Sequence, residues 1–574
     1  MVGKVVVSVF SLILVVGVVI GIVAVVQRNN NSAGESEAAQ QVSTSSKSVA
    51  QICQPTDYKD ICEKSLSAVN NTKDPKEYVK AAILATAEAV SKSLNLSDNL
   101  IVNAKGSEDD DTKMSLEDCK DLLQDAVQEL QASFSTVGQS TMNTMDKKIA
   151  ELQNWLSAVV SYQSTCLDEF GDPNSKYKSQ MQDGMVDSTQ LTSNALAIVN
   201  ALAKMLSTFD LKFDLTDISE NSRRLLSIDE EGYPTWFNAA KRRLMAVGDA
   251  GVGGVKPNLT VAQDGTGDFK TITEALATYP KKNVDPFVIY VKAGVYKEYV
   301  IVDKKMINVF MYGDGPLKTI ITGDHSNKTG WKTMRSATFA ALGAGFMAKS
   351  MAFENTAGPE GHQAVALRVQ ADRASFFDCN IDGYQDTLYT QAHRQFYYNC
   401  SISGTVDFIF GDASVVIQNS KIIARLPLKG QLNTVTAHGR SMVHETTGLV
   451  IQNCKIVAED KLFPERNTTK SYLGRPWKAF SRTIVMESEI TDVIQPDGWA
   501  PWNGDLFLDT LDYAEYANTG LASATDKRVA WKGFHVITDK KEAEQWTTGP
   551  FIQGAEWLNG TGIPFSMGFT STKA

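Results

Sequence analysis

Two aspartates lie in segments whose neighbours are apolar or aromatic, a setting in which an ionised carboxylate is unusual. Asp386 lies in the segment YQDTLY, and Asp407 lies in TVDFIF. A single aspartate of this kind is most often a turn former or a hydrogen-bonded structural group, because charged side chains are rarely buried without partners. A close pair of carboxylates is different, since one can serve as nucleophile and the other as general acid/base. Whether these two lie together depends on the elements that carry them.

A short pattern recurs through this half of the chain: an apolar residue or glutamine, a polar residue, a small residue, any residue, and isoleucine. Its copies are residues 377–381, 398–402, 418–422, 452–456 and 486–490. The polar residues of the first three copies, Asp378, Asn399 and Asn419, are 21 and 20 positions apart, and longer gaps follow. A repeat of this length with short β-branched runs and no helical pattern is typical of a solenoid of strands. The pattern therefore predicts a parallel β-helix.

The repeat places the two aspartates on matching positions. Asp386 follows Asp378 by 8 positions, and Asp407 follows Asn399 by the same number. Because neighbouring strands stack roughly 4.8 Å apart, the two carboxylates are predicted to face each other at about that distance. Gln363, one coil earlier, falls near the same column. Two acids this close cannot both ionise easily, so the pKa of one should rise while the other is held down.

The charge and the first residues bound the class of protein. The net charge is −10, and the whole excess lies in residues 1–250, because residues 251–574 carry equal numbers of acidic and basic side chains. The absence of a strongly basic region argues against a nucleic-acid partner. Residues 5–26 are almost wholly apolar and long enough to span a bilayer. Residues 1–28 are therefore a cleaved signal peptide or an uncleaved signal anchor, the one expected contact with a membrane, and 29–50 form a polar linker.

Either form of leader sends the rest of the chain into the secretory route. Glycosylation sequons are compatible with that route, although each one alone is weak evidence. They begin at Asn70, Asn95, Asn258, Asn327, Asn399, Asn467 and Asn559.

Residues 51–213 show helical periodicity. Apolar stripes spaced three and four residues apart run through 122–130, 152–160 and 196–206, which predicts an antiparallel helical bundle. Four cysteines in this part should pair in an oxidising compartment, with a connectivity that spacing leaves open. They are Cys53, Cys62, Cys119 and Cys166. We find no catalytic constellation in this part, which favours a binding or folding module.

Residues 214–255 form a second linker with two basic pairs. The residues at these candidate processing sites are Arg223, Arg224, Leu225, Leu226, Arg242 and Arg243. Basic pairs in an exposed, glycine-rich connector are open to a processing protease, while an ordinary solvated linker is the alternative. From residue 256 the pattern turns to strands, with strand-like runs at 287–291 and 307–311.

The remaining cysteines and the histidines suggest no metal site. Cys379, Cys400 and Cys454 are odd in number, so at least one thiol stays free unless it bonds elsewhere. The six histidines are scattered, and no metal-ligand cluster appears in the sequence.

Several separated motifs, in order, carry a family resemblance. They are GVYKE at 294–298, QAVAL at 363–367, YQDTLY at 384–389, GTVDFIFG at 404–411 and LGRPW at 473–477. With them, residues 256–574 resemble the plant pectin methylesterases, which implies an all-β right-handed parallel β-helix. Residues 51–213 resemble the inhibitor-type domain that one class of these enzymes carries as a pro-region, which implies an all-α four-helix bundle.

The resemblance also implies roles for individual residues. Asp407 matches the nucleophile and Asp386 the acid/base, in agreement with the stacking argument. Gln363 and Gln385 match side chains that stabilise the oxyanion, and Arg475 matches the residue that keeps the nucleophile ionised. Residues matching substrate contacts, in addition to Gln363 and Arg475, are Thr333 and Trp477.

The implied reaction is hydrolysis of the methyl esters of galacturonate in pectin (methylated homogalacturonan), with methanol released, no cofactor and the cell wall as destination. A processing protease and a proteinaceous inhibitor are implied partners, and the helical domain would restrain activity or assist folding until cleaved. In the family, neighbouring cysteines of the bundle pair, which implies Cys53–Cys62 and Cys119–Cys166. The Arg-Arg-Leu-Leu run resembles the processing site between the two parts.

One departure and two alternatives remain at this level. Family members often pair a cysteine at the position of Cys400 with one about 20 residues later, where this chain has Ser420, so Cys400 is either free or paired with Cys379. A pectin lyase or glycosidase could share the solenoid, but a lyase would need calcium-binding acids that the sequence does not show. The chain could instead be chiefly a regulatory protein with an inert second half, against which the intact acidic and arginine motifs argue.

Overall fold

The structure, a computed structural model, describes residues 49–69, 74–104, 110–140, 142–208, 256–559 and 561–570. The apolar run 5–26, Asn70 and both basic pairs of the second linker lie outside these residues. Within the described ranges, no helix combines the length and the apolar character that crossing a bilayer requires.

The first part of the described chain is a bundle of four long helices, with a helical stretch at 49–53 and one short helix before them. The short helix is Lys59–Leu66, and the long helices are Pro75–Ala104, Asp110–Gln139, Met142–Asp168 and Lys176–Thr208. The predicted apolar stripes face the bundle core: Leu123, Leu130, Leu152 and Leu196 are completely buried. We call this part the helical domain. It contains the disulfides Cys53–Cys62 and Cys119–Cys166, the two pairings that the family resemblance implies.

From residue 259 onwards the chain winds into coils whose strands form three parallel sheets. The first sheet contains Leu259–Val261, Phe287–Val291, Val309–Gly313, Met347–Lys349, Ala374–Phe377, Arg394–Tyr398, Ser414–Gln418, Gly448–Gln452, Arg482–Met486, Asp512–Tyr516 and Phe534–Val536. The second sheet contains Val300–Val302, Phe339–Ala341, Leu367–Val369, Leu388–Thr390, Ile409–Gly411, Asn433–His438 and Ser471–Gly474. The third sheet contains Gly294–Lys297, Thr319–Gly323, Ala352–Asn355, Asn380–Asp382, Ser401–Gly404, Lys421–Ala424, Lys455–Ala458 and Glu489–Ile490.

Short helices flank this solenoid, which we call the β domain. They are Ile272–Ala277 near its start and Lys540–Glu544, Thr548–Ile552 and Gly554–Trp557 near its end. Each full coil contributes one strand to each sheet, and neighbouring strands of the described coils pair in parallel. The prediction of a helical bundle followed by a parallel β-helix is therefore confirmed.

The sequence repeat corresponds to one corner of the coils. Its isoleucines pair in register, from Ile381 with Ile402 through to Ile456 with Ile490, and form one completely buried column inside the solenoid. The polar residue of each copy has a positive φ, as in Asp378 (53°) and Asn399 (52°). Short polar side chains tolerate this left-handed conformation better than apolar ones, which explains their recurrence at the bend. The same conformation at Asn308 delays the strand expected at 307–311, which begins at Val309.

The helical domain packs on the second sheet. One hydrophobic core cluster joins bundle residues to side chains of that sheet and its loops, which are Met334, Val365, Tyr389, Ala392, Phe410 and Ala437. Between the three sheets runs a second core rich in aromatic rings, where Phe376 stacks on Tyr397 at a centroid distance of 4.8 Å. The second sheet is thus covered on its outer face by helices.

Candidate active site

The two aspartates occupy matching turns that lead from the third sheet into the second. Both have left-handed backbones, with φ of 64° at Asp386 and 51° at Asp407, and both are buried. Each turn begins with a glycine three residues before the aspartate, Gly383 and Gly404. A side chain would not fit at the second of these, because a Cβ on Gly404 would lie 2.2 Å from the Cβ of Phe408. The local sequence G-x-x-D therefore folds each turn tightly back and fixes the aspartate at its end.

Strand register brings the aspartates together. Leu388 pairs with Ile409, and the same register continued back by two residues pairs Asp386 with Asp407. The backbone N–H of Asp386 donates to the carbonyl oxygen of Val406 at 3.1 Å, which shows that the pairing extends into the turns. The two carboxylates thus lie on consecutive coils of the solenoid, as their spacing from the repeat predicts.

Arg475 holds one of the two carboxylates in a fork. Its Nε donates to Asp407 Oδ1 at 2.8 Å, and its Nη2 donates to Oδ2 at 2.6 Å. Burial alone would lower the pKa of the Arg475 guanidinium, but its hydrogen bonds with Asp407 and their mutual attraction raise that pKa above its ordinary value. A bidentate pair of this kind is complementary to a carboxylate anion and fixes its plane.

Asp386 has the opposite environment. Burial, together with repulsion from Asp407, raises the pKa of Asp386 well above its ordinary value, and the more distant charge of Arg475 only partly opposes this. The pair is therefore polarised, with a cation placed against Asp407 and a proton favoured on Asp386. Two carboxyl groups whose environments differ in this way are suited to separate roles as nucleophile and acid.

The two glutamines lie beside this pair. Gln385 directly precedes Asp386, and its carbonyl oxygen accepts a hydrogen bond from Ala364 N–H at 3.2 Å. Continued register places Val365, not Gln363, opposite Asp386, so Gln363 lies two residues before the aspartate column. Both glutamine side chains are partly exposed at this end of the second sheet. The two predicted oxyanion contacts therefore lie on neighbouring coils at the same end of the second sheet as Asp386.

An aromatic row extends from the carboxylates along the second sheet. Tyr389 stacks on Phe410 at 4.4 Å, and Trp477 meets Phe410 edge-on at 6.0 Å. Such rings offer flat apolar faces to a sugar ring. Thr333, the other predicted substrate contact, lies just before the short 3₁₀ turn Met334–Ser336 and is partly exposed.

The helix Met142–Asp168 of the helical domain lies over this row. The Ser161 hydroxyl donates to the carbonyl oxygen of Gln391 at 2.7 Å, and the Thr165 hydroxyl lies 3.2 Å from the phenol oxygen of Tyr389. At the end of the helix, Asp168 pairs with Lys478 Nζ, the residue after Trp477, at 2.5 Å. The helical domain therefore occupies surface directly adjacent to the carboxylates.

Opposite charges meet across the two domains. Acidic side chains of the helical domain pair with basic side chains of the β domain in Asp118–Arg335 (2.6 Å), Glu129–Lys304 (2.9 Å), Asp111–Lys332 (2.5 Å) and Glu151–Arg373 (3.0 Å). The buried His393 of the β domain contacts Asn154 and Tyr162 at 3.1 Å and 3.0 Å. Part of the negative charge of the helical domain is thus neutralised by basic side chains at this interface.

Two contacts of the site were missed by sequence reasoning. The Thr434 hydroxyl donates to Asp407 Oδ1 at 2.6 Å, and the indole of Trp502 lies 4.3 Å from the Arg475 guanidinium carbon. Thr434 occupies the same column as Asp407 on the next coil, but 27 positions later instead of 20 or 21. Finding Thr434 from the sequence would have required aligning the coils strand by strand, so that each coil could have its own length.

The remaining cysteines are free and buried, so Cys400 does not pair with Cys379. At the departure from the family pattern, the Ser420 hydroxyl accepts a hydrogen bond from Cys400 N–H at 3.0 Å. Six of the seven sequon asparagines lie in described parts of the chain, and all six are exposed: Asn95, Asn258, Asn327, Asn399, Asn467 and Asn559. In those same parts, no group of three or more His, Cys, Asp or Glu side chains is placed to hold a metal ion.

Comparison with known proteins gives matches to both parts of the chain. A family model described as Pectinesterase matches residues 258–555, and one described as Plant invertase/pectin methylesterase inhibitor matches residues 47–198. Among relatives from Arabidopsis thaliana, probable pectinesterase/pectinesterase inhibitor 58 is 44% identical over 549 residues, covering 95% of each chain. Pectinesterase 4 is 40% identical over 601 residues, covering 99% of this chain and 100% of its own. The solved pectin methylesterase from carrot is 53% identical, with a TM-score of 0.54, covering 55% of this chain and 99% of that one.

Proposed function

Because this chain belongs to the pectinesterase family and is a carboxylic ester hydrolase, we propose that its substrate is methylated pectin and that Asp407 and Asp386 carry the reaction. The observation that supports this assignment most directly is the polarised carboxyl pair. Arg475 donates one hydrogen bond to each oxygen of Asp407, while burial favours the proton on Asp386 one coil away. A nucleophile and an acid are thus prepared in adjacent positions before substrate arrives.

In the first half of the proposed reaction, a carboxylate oxygen of Asp407 attacks the carbonyl carbon of a galacturonate methyl ester. The tetrahedral oxyanion accepts hydrogen bonds from the side-chain amides of Gln363 and Gln385. When the C–O bond to methoxide breaks, Asp386 gives its proton to the leaving group, and methanol departs. The product of this half-reaction is an acyl-enzyme, an anhydride between the sugar acid and Asp407.

In the second half, water attacks the anhydride carbonyl and Asp386, now ionised, removes its proton. The C–O bond to Asp407 breaks, the carboxylate returns to the Arg475 fork, and the sugar acid leaves. The proton taken from water leaves Asp386 protonated again, the form that its buried position favours. Trp477 and Thr333 contact neighbouring sugar units in this proposal. Trp477 meets the aromatic row at Phe410, and Thr333 lies in the segment that leads into the second-sheet strand Phe339–Ala341.

The helical domain restrains this activity in the intact chain. Its contacts at Ser161, Thr165 and Asp168 cover the aromatic row on which a polysaccharide would lie. Release follows when a processing protease cuts the linker at Arg223-Arg224 or Arg242-Arg243, and secretion to the cell wall brings the released enzyme to its substrate. A separate inhibitor protein of the same kind as the helical domain would fit the same surface.

The test is methanol release from methylated pectin by the purified protein. We expect activity in the wild-type chain, none above background in Asp407→Asn, and a large increase when an engineered protease site in the 214–255 linker is cut. Near-normal turnover by Asp407→Asn would remove the mechanism. Unsaturated sugar ends that disappear with a chelator would instead indicate a lyase, and inactivity in both the cut and uncut forms would support a purely regulatory protein.

A further inference from the structure

Thr434 contacts the proposed nucleophile twice. Its hydroxyl oxygen accepts a hydrogen bond from the backbone N–H of Asp407 at 2.8 Å, and the same hydroxyl donates to Asp407 Oδ1 at 2.6 Å. Because a hydroxyl has one hydrogen, that hydrogen is committed to the carboxylate. One threonine thus bridges the amide and the side chain of the same aspartate.

The surroundings hold this hydroxyl in place. Thr434 is completely buried in the strand Asn433–His438, and the strand register places it opposite Asp407 of the preceding coil. Its backbone N–H donates to Thr405 at 3.2 Å, and its carbonyl oxygen accepts from Phe408 at 3.3 Å. Thr405 and Phe408 flank Asp407 in the sequence, so these backbone bonds hold Thr434 against the turn that carries Asp407.

A count of donors separates the two oxygens of Asp407. Oδ1 receives Thr434 and Arg475 Nε, while Oδ2 receives Arg475 Nη2 alone. Each carboxylate oxygen offers about two lone pairs in the carboxylate plane. Oδ1 is therefore saturated by the protein, and Oδ2 keeps one lone pair for a reacting carbon.

We propose that Thr434 is a positioning residue that occupies Oδ1 of Asp407 and thereby makes Oδ2 the attacking atom. This inference rests on the proposed function of Asp407. Without the hydroxyl, the carboxylate would lose one of its three hydrogen-bond donors, and the Arg475 fork alone would hold its orientation. This loss should destabilise the transition state more than it reduces the affinity for substrate. The reason is that Thr434 is buried beneath the carboxylate and does not reach the sugar.

The experiment compares Thr434→Val, which keeps the shape but lacks the hydroxyl, with Thr434→Ser, which keeps the hydroxyl. All variants are made in the full chain and assayed in the form that a plant host secretes, beside wild type. For Thr434→Val we expect kcat to fall about 10- to 100-fold, the loss usual for one hydrogen bond to a charged group, with KM within about twofold. The acidic limb of its pH–rate profile should move to higher pH, since the carboxylate has lost a donor. Thr434→Ser should restore kcat to within about threefold of wild type.

A matched control separates positioning from stability. Thr390 is a completely buried threonine of the same sheet whose hydroxyl donates to the carbonyl oxygen of Phe410 at 3.0 Å, away from both acids. Thr390→Val loses a comparable hydrogen bond and should lower the melting temperature without moving the acidic limb. If Thr434→Val does not fold, Thr434→Cys replaces it, because a thiol is a weak donor of similar size and should give an intermediate loss of kcat.

Two outcomes would overturn the inference. One is a wild-type kcat and pH profile in Thr434→Val or Thr434→Cys; the other is a Thr434→Ser variant as slow as Thr434→Val. Asp407→Asn is measured in parallel: if it stays active, the proposed function itself fails, whereas an inactive Asp407→Asn beside a fully active Thr434→Val refutes only the role of Thr434.

Discussion

Arg475 offers the sharpest test of the polarised carboxyl pair. Its fork makes two hydrogen bonds to Asp407, at 2.8 Å and 2.6 Å, and its guanidinium lies over the ring of Trp502. Lysine would keep the charge but cannot reproduce the planar fork. A hydrogen bond to a charged group contributes about 1.5–3 kcal/mol. Losing one of the two in Arg475→Lys should therefore lower kcat/KM about 10- to 150-fold.

Arg475→Met removes the charge as well and should be more severe. Breaking a buried ion pair by deleting one partner costs about 3–5 kcal/mol, which corresponds to a fall of about 200- to 5,000-fold in kcat/KM. The pH profile adds a second readout. Because the charge of Arg475 lowers the pKa of Asp386, its removal should raise that pKa further and move the basic limb of kcat to higher pH. Arg475→Lys should leave the basic limb in place.

The assay is methanol release from methylated pectin across a pH series, with the melting temperature recorded for each variant. Arg466 provides a control with the same residue types, an arginine that pairs with an aspartate beside an aromatic ring but makes a single hydrogen bond to it. It donates to Asp492 at 2.8 Å and lies 4.0 Å from the ring of Phe463 at the surface. Arg466→Lys should change kcat/KM by less than about twofold, as expected for an exposed ion pair. An Arg475→Lys variant as active as Arg466→Lys would refute the assignment of the fork.

Three further predictions concern stability. Burial and neighbouring carboxyl groups raise the pKa of Glu169 from 4.5 to about 8, so the folded chain keeps a proton that the unfolded chain releases. The contribution of Glu169 to the free energy of unfolding should therefore be fully present below pH 4.5 and be lost as the pH rises towards 8, and Glu169→Gln should flatten that decline in denaturant titrations. Glu515→Gln leaves Arg528 without its buried partner and should destabilise the fold by about 3–5 kcal/mol, seen as a lower melting temperature; an unchanged melting temperature would show that the pair is dispensable. Ser420→Cys places a second thiol beside Cys400 on the adjacent coil. Oxidation should close a loop of about 20 residues, consume the thiols of Cys400 and of the introduced cysteine, and raise stability by about 3 kcal/mol in the absence of reductant.

The docking of the two domains explains why charge is distributed so unevenly along the chain. The acidic helical domain presents carboxylates to lysines and arginines around the rim of the second sheet, including Lys304 and Arg335. Partly buried ion pairs of this kind fix the relative position of two surfaces more than they strengthen the association. The apolar contacts over Tyr389 and Phe410 supply the remainder of the interface.

Sequence alone determined the features that depend on local rules. The repeat of about one coil revealed the solenoid, because each copy of the repeat bends in the left-handed conformation and buries an isoleucine in the same column, as Asn399 and Ile402 do. Equal spacing from that bend placed Asp386 and Asp407 on adjacent coils. The same rules revealed the helices, whose apolar stripes repeat with the helical period.

Only the tertiary structure decided the contacts that depend on unequal coil lengths and on docking. Thr434 reaches Asp407 across a coil lengthened to 27 residues, and Trp502 reaches Arg475 from a loop with no repeat of its own. Neither distance along the chain is a multiple of the period, so counting cannot find them. The placement of Ser161 over the aromatic row is likewise a property of two surfaces that meet. Periodic backbone geometry can be read from spacing, whereas contacts between separately folded parts depend on shape and charge that appear only after each part has folded.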